Sequence, residues 1–240
     1  MRLSSFTTSK VATISYESNK WYAISSPSHS SVSGQNVADV VNLTDGNYDL
    51  LRYNETSGKW EGQKAAAGQV GFTTMEKGRG YIYRRSNKTD VTFYSEPNSG
   101  DFNATTTYGC ADNAIKGFNL VGNPYNKAYA PTVDFYALNT NGTWAAQTSG
   151  TTVAATNAFM IHVDVAGNYA FAEPSGAKSA PVAQSPLAFS VSNDEYSDIA
   201  YVRFEKGKAL PKLGHLNAEA PVLCIPVEGR NRRLFLVDSR

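Results

Sequence analysis

Residues 21–27 (WYAISSP) recur at 118–124 as FNLVGNP, and this recurrence decides how the chain is interpreted. Three further blocks follow each copy in the same order: 48–53 with 58–60 (YDLLRY, GKW) against 133–138 with 142–144 (VDFYAL, GTW), 80–83 (GYIY) against 158–161 (AFMI), and 91–100 (VTFYSEPNSG) against 169–176 (YAFAEPSG). Blocks that recur in a fixed order indicate an internal structural repeat. The sequence therefore predicts two related units, the first longer because of insertions between its blocks.

Short alternating apolar runs bounded by Gly, Asn, Asp or Pro dominate the chain, and helical periodicity is almost absent. Dipeptides such as Ser57-Gly58 and Asn141-Gly142 are suited to tight hairpin turns. This pattern predicts an all-β fold of tandem antiparallel β-sandwich units, Ig-like or jelly-roll-like, followed by a short C-terminal β segment. Predicted strands cover 12–16, 21–25, 48–53, 59–60, 80–84, 91–94, 118–121, 133–138, 143–146, 159–163, 169–172, 187–191, 199–204, 222–227 and 234–237.

The repeat also suggests the domain boundaries. We expect a first β unit at 1–100, a second at 101–176, a linker at 177–186 and a C-terminal β segment at 187–240. The linker is predicted from its small residues and two prolines, which carry no strand pattern. The last segment is short for an independent domain and is expected to lean on the preceding unit.

Composition and charge disfavour several classes of function. Only 18% of the 240 residues are charged and the net charge is +1, so no strong field would attract nucleic acid. No apolar run approaches the length of a membrane span. Cys110 and Cys224 lie far apart and Cys224 sits in an apolar run, so we expect neither a disulfide between them nor a zinc site. We expect no cofactor.

The four blocks resemble the repeated β-rich regions of secreted and cell-surface proteins of the Bacteroidetes type. The resemblance rests on segments such as 117–125 (GFNLVGNPY) and covers about residues 21–204; the tail at 189–204 is also similar. One departure is Ala158, which stands where that pattern usually has glycine. The resemblance implies an extracellular or cell-surface, adhesin-like or accessory region of a larger protein. It carries over no catalytic residues.

Two candidate catalytic pairs have simpler structural interpretations. Strand alternation places His162 and Asp164 on one face, where they could orient a base for a nucleophile, but we favour their interpretation as the solvent face of a half-buried strand. Glu96 and Glu173 occupy matching repeat positions before a proline and could suggest a glycosidase pair. Equivalent positions favour similar environments, whereas an acid and a base need different ones. We therefore expect a non-enzymatic protein and keep a hydrolase as a remote alternative.

Aromatic residues at matching positions are the candidate ligand contacts. Trp60 and Trp144 each follow a Gly-x turn, and Tyr81 and Tyr83 share one strand face. Exposed aromatic rings stack on the apolar faces of sugars, which would make this a carbohydrate-binding accessory module. The alternative is that these rings pack in the core of the sandwich. Their exposure discriminates the two.

The expected function is a non-catalytic extracellular adhesion or scaffold module of a bacterial surface protein, with a carbohydrate-binding module as the alternative. Its partner would be a glycan or a host or cell-surface protein. Any ligand site is expected on the repeat region, near the insertions between Pro27 and Tyr48 and between Glu61 and Gly78, because loops on a rigid sandwich commonly carry function.

Overall fold

The computed structural model describes residues 9–64 and 71–174, together with the backbone of two strands at 187–192 and 197–202. The predicted linker, Cys224, and the predicted strands at 222–227 and 234–237 lie outside the described residues.

Short strands joined by tight turns form almost all of the described chain. Before residue 100 they are β1 (Lys10–Tyr16), β2 (Tyr22–Ile24), β3 (Ser28–His29), β4 (Gly34–Asn36), β5 (Tyr48–Asn54), β6 (Lys59–Gly62), β7 (Thr74–Glu76), β8 (Tyr81–Arg85), β9 (Thr89–Tyr94) and β10 (Glu96–Pro97), with a 3-10 helix at Val37–Asp39. After it they are β11 (Phe102–Thr106), β12 (Phe118–Gly122), β13 (Phe135–Leu138), β14 (Trp144–Gln147), β15 (Ala158–His162), β16 (Gly167–Phe171), β17 (Leu187–Ser192) and β18 (Ser197–Val202).

Two four-stranded antiparallel sheets form the centre of the molecule. Their strand orders are β2-β8-β5-β6 and β12-β15-β13-β14, so the sequence blocks that match in the two copies occupy matching places in the sheets. Two further antiparallel pairs, β1 with β9 and β11 with β16, also correspond. The predicted all-β class is confirmed. Superposition of the two copies in three dimensions, and assignment of an Ig-like or jelly-roll-like topology, stay predictions.

Alternation along each strand distributes side chains between separate cores. In β8, Tyr81 and Tyr83 point into a core shared with β1 and β9, whereas Ile82 points the other way. In β15, Phe159 and Ile161 pack with β11 and β16 in the equivalent core of the second half. The first half (residues 9–64 and 71–100) and the second half (residues 101–174) therefore each have a core of their own, on the outer side of their large sheet.

A third core lies between the two large sheets. It contains Ala23 and Ile82 from the first half and Leu120, Tyr136 and Met160 from the second. Strands β8 and β15 are consequently covered on both faces. The face of 159–163 that was predicted to contact solvent is covered at Met160, which is buried against the opposite half, and only the end of this face, at His162 and Asp164, reaches solvent.

Two glycines allow the backbones of the halves to meet. The N–H of Gly80 donates to the carbonyl of Leu120 at 3.0 Å, and the N–H of Gly122 donates to the carbonyl of Gly78 at 2.9 Å. A Cβ on Gly122 would lie 2.4 Å from the Cβ of Ser25. Side-chain-free positions are thus required where the two units cross.

Candidate functional site: a polar cleft between the two halves

A cleft of about 550 Å³ opens where β5 and β6 of the first half face β11 and β12 of the second. This volume is within the range of about 300–1,000 Å³ typical of small-ligand sites. The lining combines charged side chains, amides and hydroxyls with a floor that includes Leu120 and Val121. The cleft thus has the size and the mixed polar and apolar lining of a small-ligand site.

The first wall is built from a cross-strand ion pair. Arg52 on β5 stands directly opposite Glu61 on β6, and its Nε donates to Glu61 Oε2 at 2.7 Å. Asn54, two residues along the same face of β5, donates from Nδ2 to Glu61 Oε1 at 2.7 Å. Opposite charges placed across an antiparallel pair stabilise that register, so the sheet itself fixes these three side chains.

A second ion pair extends this wall. Arg79 Nη1 lies 3.1 Å from Glu76 Oε1, and Arg52 Nη1 lies 3.5 Å from the same oxygen. Arg79 also donates from Nη2 to the carbonyl of Tyr53 at 3.2 Å. The hydrogen bond from Asn54, followed by that from Arg52, outweighs partial burial and holds the pKa of Glu61 below its ordinary value. Glu61 is therefore a carboxylate that stays ionised.

The second wall is one face of β11. Asn103 and Thr105 are exposed there, while Ala104 and Thr106 point inward and are buried. The sequence pattern does not predict this strand, because its inward side chains are too small to give an apolar alternation. Strand β1 precedes the first repeat copy as β11 precedes the second, so the repeat itself could have predicted β11.

The two insertions predicted to carry a ligand site both reach the cleft. Val32, at the tip between β3 and β4, is 106% exposed and lines the rim with Ser33. The tip is held by Gly34, whose φ of +133° disfavours other residues and whose Cβ would meet the carbonyl of Met75. Glu76, at the end of the second insertion, contributes the charge described above.

Beneath the cleft, Glu55 is buried in a ring of backbone donors. It is 3% exposed and accepts from the N–H groups of Gly109, Cys110 and Gly117 at 2.8–3.1 Å. Burial alone would raise its pKa, but these hydrogen bonds prevail and hold the pKa below the ordinary value. An ionised carboxylate thus ties the β5–β6 turn to the segment that leads into β12.

The four predicted ligand-binding aromatics do not form an exposed platform. Tyr81 and Tyr83 are 0% exposed in the outer core, and Trp144 is buried between the two large sheets. Trp60 is partly buried, with its ring centroid 5.1 Å from that of Tyr53. Tyr81, Tyr83 and Trp144 are covered by other side chains and present no open ring face to a sugar, whereas for the partly buried Trp60 the assignment stays a prediction.

His162 and Glu173, one member of each candidate catalytic pair, have structural contacts. His162 donates from Nε2 to the carbonyl of Lys116 at 3.1 Å, while its Nδ1 lies 3.9 Å from Asp164. Glu173 accepts from the N–H of Gly100 at 2.7 Å and pairs with Lys127 at 3.1 Å, contacts that lower its pKa. A carboxyl held ionised in this way is a poor general acid.

Within residues 9–64 and 71–174, no group of three or more His, Cys, Asp or Glu side chains is arranged to hold a metal ion. In the same part of the chain Cys110 is a buried free thiol. Among the described residues, no helix has the length and apolar character needed to cross a bilayer. No protein-family model, curated protein or solved structure matches the chain significantly.

Proposed function

We propose that the chain is a non-catalytic binding module, serving adhesion or scaffolding in an exported or cell-surface protein. The proposal rests on the cleft, in which two arginines and two glutamates are already paired with one another. Arg52 with Glu61 and Arg79 with Glu76 form ion pairs at 2.7 and 3.1 Å. Such groups recognise a ligand by shape and hydrogen bonds, whereas proton transfer requires a group poised near the working pH.

The exported location is supported by the repeat and its resemblance to β-rich surface proteins. The architecture is also consistent with that role, because three cores and backbone hydrogen bonds between the halves hold the walls of the cleft in place. A preformed site loses little conformational entropy when a ligand binds.

Beads coated with the purified chain test this proposal. We expect saturable attachment to immobilised extracellular glycoproteins and to intact cell surfaces, and no release of product from chromogenic glycosides or peptides. A chain carrying Arg52→Met and Glu61→Met should attach less, since these changes remove the first wall without leaving one charge unpaired. Measurable turnover that the same double change abolishes would instead make the chain an enzyme.

A further inference from the structure

The charges that line the cleft balance to zero. Three basic side chains (Arg52, Lys77, Arg79) stand against three acidic ones (Glu55, Glu61, Glu76). Glu55 is buried and Lys77 donates to the carbonyl of Ser99 at 3.1 Å, so both already have partners. The two arginines are already paired with carboxylates, so a charged ligand that bound either of them would have to displace an existing ion pair.

The same groups still offer both donors and acceptors in fixed planes. A guanidinium carries five N–H groups, and within the described chain the contacts of Arg52 engage its Nε and Nη1. A carboxylate such as that of Glu76 accepts several hydrogen bonds and is about half exposed. A planar donor beside a planar acceptor matches neighbouring hydroxyls, because each hydroxyl both donates and accepts.

The opposite wall supplies neutral polar groups and the rim supplies an apolar contact. Asn103 and Thr105 present an amide and a hydroxyl across the cleft from the ion pairs. Val32 places an exposed apolar side chain at the opening. The ring of Phe102 is partly exposed, with Lys77 Nζ over it at 5.0 Å from the ring centroid. Hydroxyl-rich edges and C–H faces are the two surfaces that a sugar ring presents.

From this combination we propose that the cleft binds a short neutral oligosaccharide. The inference rests on the proposed function as a binding module and specifies its ligand class. It places the sugar at the ionic cleft between the halves and not at the aromatic residues that the sequence suggested. Recognition is by hydrogen bonds to ring hydroxyls, with Val32 covering an apolar face at the opening.

The test measures binding of the full chain to three sets of oligosaccharides, neutral, acidic and basic, by glycan array and then calorimetry. We expect neutral sugars to bind, with a Kd that changes less than about twofold between roughly 0.05 and 0.5 M salt. The double variant Asn103→Ala, Thr105→Ala should weaken this binding about tenfold, the effect of losing one or two hydrogen bonds. Asn168→Ala, an exposed change on the neighbouring strand β16, is the matched control and should bind as the parent does.

Binding restricted to acidic or basic sugars, or to peptides, with a strong salt dependence would overturn the inference while leaving a binding module in place. So would neutral-sugar binding that the double variant does not change. If the bead experiment shows no attachment to any surface, the proposed function itself fails. Thermal unfolding of each variant identifies any loss of binding that comes from loss of fold.

Discussion

Both carboxylate oxygens of Glu55 accept hydrogen bonds from the N–H of Gly109, at 3.0 and 2.8 Å, although 54 positions separate the two residues. The N–H of Gly117 adds a hydrogen bond of 2.9 Å to the same carboxylate. The first half thus holds the entry to the second through one ionised group. Removing a buried charge that several aligned N–H groups satisfy is costly, because it leaves those donors without an acceptor.

Replacing that carboxylate should destabilise the whole molecule. We expect Glu55→Gln to lower the free energy of unfolding by about 1–3 kcal/mol, because the amide brings N–H donors towards backbone N–H donors. Urea unfolding measures the change. The control Glu17→Gln, in an exposed pair with Lys88, should cost less than about 1 kcal/mol. Equal decreases in the free energy of unfolding for Glu55→Gln and Glu17→Gln would show that the hydrogen bonds of Glu55 contribute no more than an exposed ion pair.

Stability should fall on acidification. The pKa of Glu55 in the folded chain lies below its ordinary value of 4.5. Its contribution is therefore fully present above pH 4.5 and is lost as the pH falls through the lowered folded-state pKa. Urea unfolding at a series of pH values between about 7 and 3 should show this decline. The decline should be shallower in Glu55→Gln, and parallel curves for the two proteins would contradict the assignment.

The crossing of the two halves should not tolerate a methyl group. A Cβ on Gly80 would lie 2.7 Å from Leu120 Cγ, 2.8 Å from Ala158 Cβ and 2.9 Å from the carbonyl oxygen of Val121. We expect Gly80→Ala to cost about 1–3 kcal/mol of unfolding free energy. Gly167→Ala on β16, where a Cβ meets nothing within 4 Å, is the control and should be close to neutral. A neutral Gly80→Ala would mean that the halves pack more loosely.

Tyr83 should matter for stability and not for binding. Its hydroxyl donates to the carbonyl of Leu43 at 2.9 Å, and burial raises its pKa. Tyr83→Phe should therefore lower the unfolding free energy by about 1 kcal/mol and leave ligand attachment unchanged. Tyr94→Phe, at a half-buried position, provides the comparison. Loss of attachment with an intact fold would restore Tyr83 as a ligand contact.

Local patterns predicted much of the fold. The runs at 48–53, 80–84 and 118–121 closely match β5, β8 and β12, because apolar side chains at alternate positions mark a strand whatever it packs against. The short strands β3, β4, β7 and β10 were not predicted. They are only two or three residues long and owe their pairing to the chain around them.

The cleft was not predicted, although its two insertions were. Arg52 and Glu61 meet through the register of β5 and β6, and Asn103 reaches the other side of the cleft through the packing of two units. Neither the strand register nor the packing of the two units can be recognised from a single stretch of sequence. The prediction for Tyr81 and Tyr83 was wrong for a related reason. Alternation places these two residues on one strand face but does not say whether that face contacts solvent or a core. In the structure this face is buried in the core.

The core between the two large sheets has a consequence for how the chain is made. Ala23 and Ile82 emerge from the ribosome before Leu120 and Met160 have been synthesised, so the first half is produced with one apolar sheet face uncovered. Glu55 likewise lacks its hydrogen bonds from the N–H groups of Gly109 and Gly117 until those residues have been synthesised. A nascent first half therefore exposes apolar surface and is prone to aggregate until the second half is synthesised or a chaperone binds. For the same reason, residues 1–100 expressed alone should aggregate and not fold as an independent domain.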